Sequence, residues 1–213
     1  MKITGEGTLD GSGRPVWDLF WKMRAAAPDP NTFKNVGLPR ARLALIENSK
    51  DVTIEGVTFK DSQFWNLHLY RCRDVTVRRT RFEVPDDYKQ APSSDGIDLD
   101  SCQDVLIDGC DFSVTDDCIA AKGSKGPRAM EDADSPPVER IRVRNCLFRR
   151  GHQVLSCGSE ATSSAKSAGL TAPSEAPPSI NWDNRDAAAS PSGPAQTSTP
   201  ARASTRVVRL RAA

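Results

Sequence analysis

The sequence contains no run of 18 consecutive apolar residues, which excludes a membrane-spanning helix of ordinary length. Its opening, Met1-Lys2-Ile3-Thr4-Gly5, lacks the basic and apolar regions of a secretory signal, so the chain as written carries no address. Neither sign of charge is in excess. Lys plus Arg number 29 against 28 Asp plus Glu, and a formal charge of +1 gives no global attraction to nucleic acid or to an acidic membrane. Preference for an anionic ligand must therefore come from a few placed Arg or Lys residues. Aromatic residues are also scarce, at 6%, whereas 38% hydrophobic residues over 213 positions suffice for one sizeable core. The six cysteines (72, 102, 110, 118, 146 and 157) lack the close pairs of a zinc site. They are expected to be small buried hydrophobes rather than metal ligands or a disulfide framework.

What is present is a repeat. Asp51-Val52-Thr53-Ile54 leads to Phe59, Asp74-Val75-Thr76-Val77 to Phe82, Asp104-Val105-Leu106-Ile107 to Phe112, and Arg140-Ile141-Arg142-Val143 to Phe148. In each copy the Phe follows the first apolar residue by seven positions. Period-2 alternation turns Val52 and Ile54 inward and Thr53 and Glu55 outward. Copies starting at 52, 75, 105 and 141 fit a constant coil with loops of growing length inserted on one side. The expected fold is all-β: a parallel β-helix, a solenoid in which each coil buries its apolar face against the next. The aligned Phe residues are expected to stack in its interior.

Domain organisation follows from composition. Residues 1–160 carry the repeat, and residues 161–213 turn abruptly to Ala, Ser, Pro and Thr before a basic Arg206-Val207-Val208-Arg209-Leu210-Arg211 segment. That tail is expected to be disordered, leaving the last coil uncovered. Residues 15–36, with Trp17, Phe20 and Trp21, could form a short helix or an irregular cover. The insertions 84–94 and 123–137 flank the same strands and are expected to rise beside one cleft.

Three chemically charged elements occur in order: Ser94-Asp95-Gly96-Ile97-Asp98, Thr115-Asp116-Asp117-Cys118-Ile119 and Gly151-His152. Asp95 lies 21 residues before Asp116 and 22 before Asp117, about one coil, and strands of neighbouring coils stack roughly 4.8 Å apart. Carboxylates gathered in this way repel, so at least one keeps its proton while another stays ionised. Hydrolysis of a glycosidic bond needs that division of labour. A bend is required, since adjacent residues on a regular strand point oppositely and both Asp116 and Asp117 must reach the cleft. His152, 35 residues after Asp117, falls one coil further on and can adjust protonation there. Asp98, Lys122 and Gln153 are candidate substrate contacts. Asp98 could meet a sugar or water, Lys122 a uronate carboxylate, and Gln153 could narrow the cleft.

These elements resemble the polygalacturonases, family 28 of the glycoside hydrolases, whose signatures run Asn-Thr-Asp-Gly, Asp-Asp-Cys, Gly-His-Gly and Arg-Ile-Lys. Here they read Ser93-Ser94-Asp95-Gly96, Asp116-Asp117-Cys118 and Gly151-His152-Gln153, and the fourth is missing. Thr4-Gly5-Glu6-Gly7-Thr8-Leu9-Asp10-Gly11 and Ser62-Gln63-Phe64-Trp65-Asn66-Leu67-His68 extend the likeness over residues 1 to about 160. The resemblance implies a right-handed β-helix and inverting hydrolysis of pectin-like galacturonan, with Asp116 as general acid and Asp95 with Asp117 positioning and deprotonating the water. It implies a monomer acting outside the cytoplasm or in the periplasm, on a polysaccharide, without cofactor or metal, nucleic acid or membrane. The missing Arg-Ile-Lys and the break at about residue 161 lead to the expectation of a truncated or frameshifted relative with little activity. Two other readings stay open: a calcium-dependent pectate lyase using clustered Asp as ligands, and a non-catalytic β-helix that binds carbohydrate.

Overall fold

The structure, a computed structural model, describes residues 1–33, 38–123, 136–161 and 208–210. Each coil contributes one strand to each of three sheets. Sheet A contains β1 (Lys2–Thr4), β4 (Lys50–Glu55), β7 (Arg73–Arg78), β10 (Gln103–Asp108) and β13 (Glu139–Arg144). Sheet B contains β2 (Thr8–Asp10), β5 (Thr58–Lys60), β8 (Arg81–Glu83), β11 (Asp111–Ser113) and β14 (Leu147–Arg150). Sheet C contains β3 (Ala44–Glu47), β6 (Leu67–Tyr70), β9 (Ile97–Asp100), β12 (Ile119–Gly123) and β15 (Ser156–Ala161). All of these pair in parallel, with Val52, Val75, Val105 and Ile141 in one register row. The chain is thus a right-handed parallel β-helix.

The repeat is a backbone repeat as well. Asp51, Asp74, Asp104 and Arg140 all have φ between 54° and 57°, and Asn48, Arg71 and Ser101 share φ between 48° and 55°. Asp and Asn tolerate this left-handed region better than most residues, which explains why the copies begin on an acid. Arg140 has no such excuse. Its guanidinium instead holds Asp104 of the coil below with contacts of 2.6 and 2.9 Å. Similar coil-to-coil pairs join Arg144 to Asp108 at 2.8 Å and Arg149 to Asp111 at 2.8 Å. Each is exposed enough to water that it contributes little singly.

The interior is a set of stacked rows. Phe59, Phe82, Phe112 and Phe148 lie ring on ring, with centroids 5.1–5.2 Å apart and planes within 12° of parallel. Cys72, Cys102, Cys110, Cys118 and Cys146 are buried, as expected of small hydrophobes, whereas Cys157 is exposed on the last coil of sheet C. A fifth, earlier coil escapes the sequence pattern: Ile3 pairs with Ile54, and Leu9 stands where the later copies have Phe.

Insertions leave from two corners of the coil, not one. The corner between sheets B and C carries helix α1 (Arg14–Ala25) and the segment 84–96, while 124–135 leaves from the far end of β12 and lies outside the described residues. Pro15 fits the first helical turn, and Lys22 and Arg24 sit in the last, where cations suit the helix dipole. The helix buries Trp17 and Phe20, and the Trp17 indole N–H donates to the Ser62 carbonyl at 2.9 Å. Tyr88 packs on Trp17 and donates its hydroxyl to Asp18, so helix and loop form one wall. The basic segment near the end was expected to be unstructured; its described part, β16 (Val208–Leu210), pairs antiparallel with β13. That edge of sheet A is therefore paired rather than open. The remainder of the tail lies outside the described residues.

Candidate active site

Asp95, Asp116 and Asp117 lie on the B-to-C corner. Parallel stacking there links one coil to the next by backbone hydrogen bonds: Asn66 N–H to Asp95 C=O at 2.9 Å, Gly96 N–H to Asp117 C=O at 2.9 Å, and His152 N–H to Asp116 C=O at 2.8 Å. The chain bends at Thr115 and Asp116 before β12 begins, as the paired acids require. The Ser94 hydroxyl lies 2.9 Å from that of Thr115 and accepts from the Thr115 N–H at 3.0 Å, fixing the two acidic turns to each other. Gly151 makes the next turn possible. A Cβ there would lie 2.4 Å from the Cys118 sulfur, so only glycine brings His152 over Asp116.

Asp117 sits between two side chains, accepting from the Ser156 hydroxyl at 2.5 Å through Oδ2 and facing His152 Nδ1 at 3.6 Å through Oδ1. The Asp117 N–H donates to Asp116 Oδ1 at 3.0 Å. Atoms of Asp116, Asp117 and His152 come within 4.8 Å of one another. Two carboxylates and an imidazole fall well short of the six to eight oxygens that calcium takes, so this donor set suits proton transfer better than a calcium-dependent lyase. Gln153 is exposed on the same corner, and its carbonyl accepts from Cys118 N–H at 2.8 Å.

Asp98 and Lys122 are placed differently from a surface contact. Both are buried, at 0% and 3% exposure, under the acids. Lys122 Nζ lies 3.3 Å from Asp98 Oδ1, 3.9 Å from Asp95 Oδ2 and 4.4 Å from the centre of the Trp65 ring. It also donates to the Gly158 carbonyl at 3.3 Å. In the next coil down, His68 Nε2 approaches Asp100 at 3.4 Å without the alignment of a hydrogen bond.

Burial dominates the electrostatics. It raises the Asp95 carboxyl, helped by Asp116 and opposed by Lys122, up to about 7. Asp116 is also raised, first by burial and then by the charge of Asp117, against the Asp117 N–H, His152 and Lys122. Asp98 stands well above the usual carboxylate range for the same leading reason. The corner thus retains a proton near neutrality, while Asp117 accepts from Ser156 and faces His152.

Sequence reasoning passed over Arg40. Its guanidinium lies 4.5 Å from the Phe64 ring centre and 5.4 Å from that of Phe20, and Nη1 donates to the Pro92 carbonyl at 3.2 Å. Burial lowers its pKa against the charges of Asp116 and Asp95. Ser156 was likewise missed, because a lone Ser one coil beyond the acids has no signature of its own.

The chain is a parallel β-helix in which three carboxylates and a histidine converge on one corner of consecutive coils. Residues 1–170 match the model of glycosyl hydrolases family 28, and the chain belongs to that family. It is 32% identical over 162 residues to a probable polygalacturonase of Vitis vinifera, a match covering 74% of this chain and 29% of the relative. A polygalacturonase of Gossypium barbadense is 28% identical over 168 residues, covering 70% of this chain and 38% of its own length. Among solved structures, the family 28 exopolygalacturonase of Yersinia enterocolitica superposes with a TM-score of 0.61 at 21% identity over 75% of this chain and 32% of that one. The polygalacturonase of Erwinia carotovora does so with 0.59 at 24% identity over 76% and 40%. The chain therefore spans about three to four tenths of the length of these relatives.

Proposed function

We propose that this site hydrolyses glycosidic bonds of a galacturonan, with Asp116 donating the proton to the leaving oxygen and Asp95 with Asp117 holding and deprotonating the water. The observation that carries the reading is the convergence of Asp95, Asp116, Asp117 and His152 on one corner, two of these carboxyls being raised. The curated relatives named polygalacturonase support the substrate class. His152, 55% exposed in its side chain, modulates Asp117 from the solvent side. The substrate is met outside the cytoplasm by a single copy of the chain, and no helix among the described residues is long and apolar enough to cross a membrane.

Inversion is the expected stereochemistry. It requires an acid and a base roughly 6.5–9.5 Å apart with the water between them. The water is assigned to the space bounded by Asp95 and Asp117 jointly. Retention through a covalent intermediate, for which carboxyl groups stand about 5–5.5 Å apart, is the alternative stereochemistry. The anomeric configuration of the first product, followed by NMR, separates the two.

Asp116→Asn should lower release of reducing ends from polygalacturonate by roughly 10²–10⁴-fold, with oligogalacturonate binding nearly intact, because the proton donor acts only in the transition state. Near-normal turnover in Asp116→Asn would remove the acid assignment. A product absorbing in the ultraviolet, together with loss of activity in chelator, would replace hydrolysis by lyase chemistry.

A further inference from the structure

The acids need a partner for the negative charge of a uronate, and Lys122 is buried against Asp98 beneath them. The same corner, two coils earlier, presents a different cationic surface. Leu43 N–H donates to Trp65 C=O at 3.0 Å and Asn66 N–H to Asp95 C=O at 2.9 Å, so Arg42, Trp65 and Asp95 fall in successive coils of one row. Two coil spacings put Arg42 roughly 10 Å along the solenoid axis from Asp95.

The platform is assembled from three coils. Phe64 and Trp65 stack with centroids 4.7 Å apart and planes 20° from parallel. Arg42 lies over Trp65 at 4.9 Å and over Phe64 at 5.8 Å, while Arg40 lies over Phe64 at 4.5 Å. Arg40 is half-buried and tied to Pro92, in the segment leading into Asp95. Arg42 is exposed, with its guanidinium lying over the two aromatic rings. Aromatic faces restrict the guanidinium plane, and the planar fork matches a carboxylate with two parallel N–H donors.

We infer that Arg42, backed by Trp65 and Phe64 and flanked by Arg40, forms a subsite for the carboxylate of a uronic acid unit lying beyond the one whose bond is cleaved, toward the first coil. This inference rests on the galacturonan reading above. Arg42 is a binding and specificity residue, too far along the axis to touch the reacting atoms. Arg40 positions the platform and the Asp95 loop.

The test is calorimetric titration of the 213-residue chain with a galacturonate oligomer and with its fully methyl-esterified form, before and after Arg42→Gln and Arg42→Lys. Trp65 fluorescence is recorded alongside. Wild-type chain should bind the free-acid oligomer about tenfold or more tightly than the ester, a full bidentate pair being worth that much. Arg42→Gln should erase this preference while leaving ester binding within about twofold, and Arg42→Lys should keep part of it because charge remains but the fork is lost. An exposed side chain makes misfolding of these variants an unlooked-for outcome, and retained ester binding checks it directly. Preference for the acid that persists in Arg42→Gln overturns the subsite and leaves the galacturonan reading standing. Wild-type chain that binds neither oligomer overturns both.

Discussion

At the residue scale, Asp95 sets a pH dependence with an unusual direction. Its carboxyl is raised from an ordinary 3.8 to about 7, chiefly by burial. The folded chain therefore holds this proton more tightly than the unfolded one, so its stabilising contribution is complete below 3.8 and is lost as pH climbs through about 7. Asp98 and Asp116 move in the same direction. The melting temperature should accordingly fall between pH 5 and pH 8, and Asp95→Asn should flatten that decline, since an amide does not ionise. Thermal scans at matched ionic strength decide it, and an unchanged slope in the variant would place the responsible proton elsewhere. Lys122 is the counterweight. It opposes the rise at Asp95, Asp98 and Asp116 alike, so removing it should push all three carboxyls further up.

At the scale of single elements, the B-to-C turns matter more than the strands they join. Gly151 and Gly96 are both pressed against neighbours, a Cβ at Gly96 lying 2.5 Å from the Cys118 carbonyl and 2.8 Å from the Phe112 ring. Gly151→Ala should push the His152 turn off Cys118, lowering turnover by an order of magnitude or more while the far-ultraviolet circular dichroism stays β-like. The phenylalanine row responds in the opposite sense. Phe112→Ala removes the ring between Phe82 and Phe148, and large-to-small changes of this type cost about 3–5 kcal/mol. Urea denaturation should report that loss as a lower midpoint, and a cost under about 1 kcal/mol would show the row to be loosely packed.

At the scale of the whole molecule, the strands of each coil pair only with those of its neighbours, while α1 and the 84–96 segment also tie the first coil to the third. Circular dichroism should be β-dominated with a small helical part from residues 14–25. The candidate site is a property of stacking: it lies on the row of B-to-C corners, beside α1 and the 84–96 segment. Arg14 to Asp87 at 2.5 Å and the Trp21 indole N–H to Gln90 at 2.8 Å hold helix and segment together. On the proton-transfer reading proposed above, chelator should leave release of reducing ends from polygalacturonate unchanged; loss of activity in EDTA would contradict the assignment.

The solenoid was legible in the chain because its physics is local and periodic. An inward alternation, an acid that tolerates positive φ, and a Phe at a constant offset recur in every coil, and stacking identical offsets leaves one answer. The acids were legible for the same reason, since a spacing of one coil puts residues on one corner. Other features depended on which neighbour a side chain meets. The first coil was hidden because Leu9 replaces Phe and its loop is one residue longer. The two insertions have similar composition, yet they leave from opposite ends of sheet C, and spacing along the chain does not record which corner a loop leaves from. Asp98 and Lys122 look like surface contacts in sequence, and alternation with Ile97, Leu99 and Ile119 does keep them on the outer face of sheet C, but that face is covered and each is buried beside the other. Arg40 and Arg42 carry no motif. Only tertiary structure, by setting two aromatic rings of the next coil beneath them, gives these cations a fixed direction along the cleft.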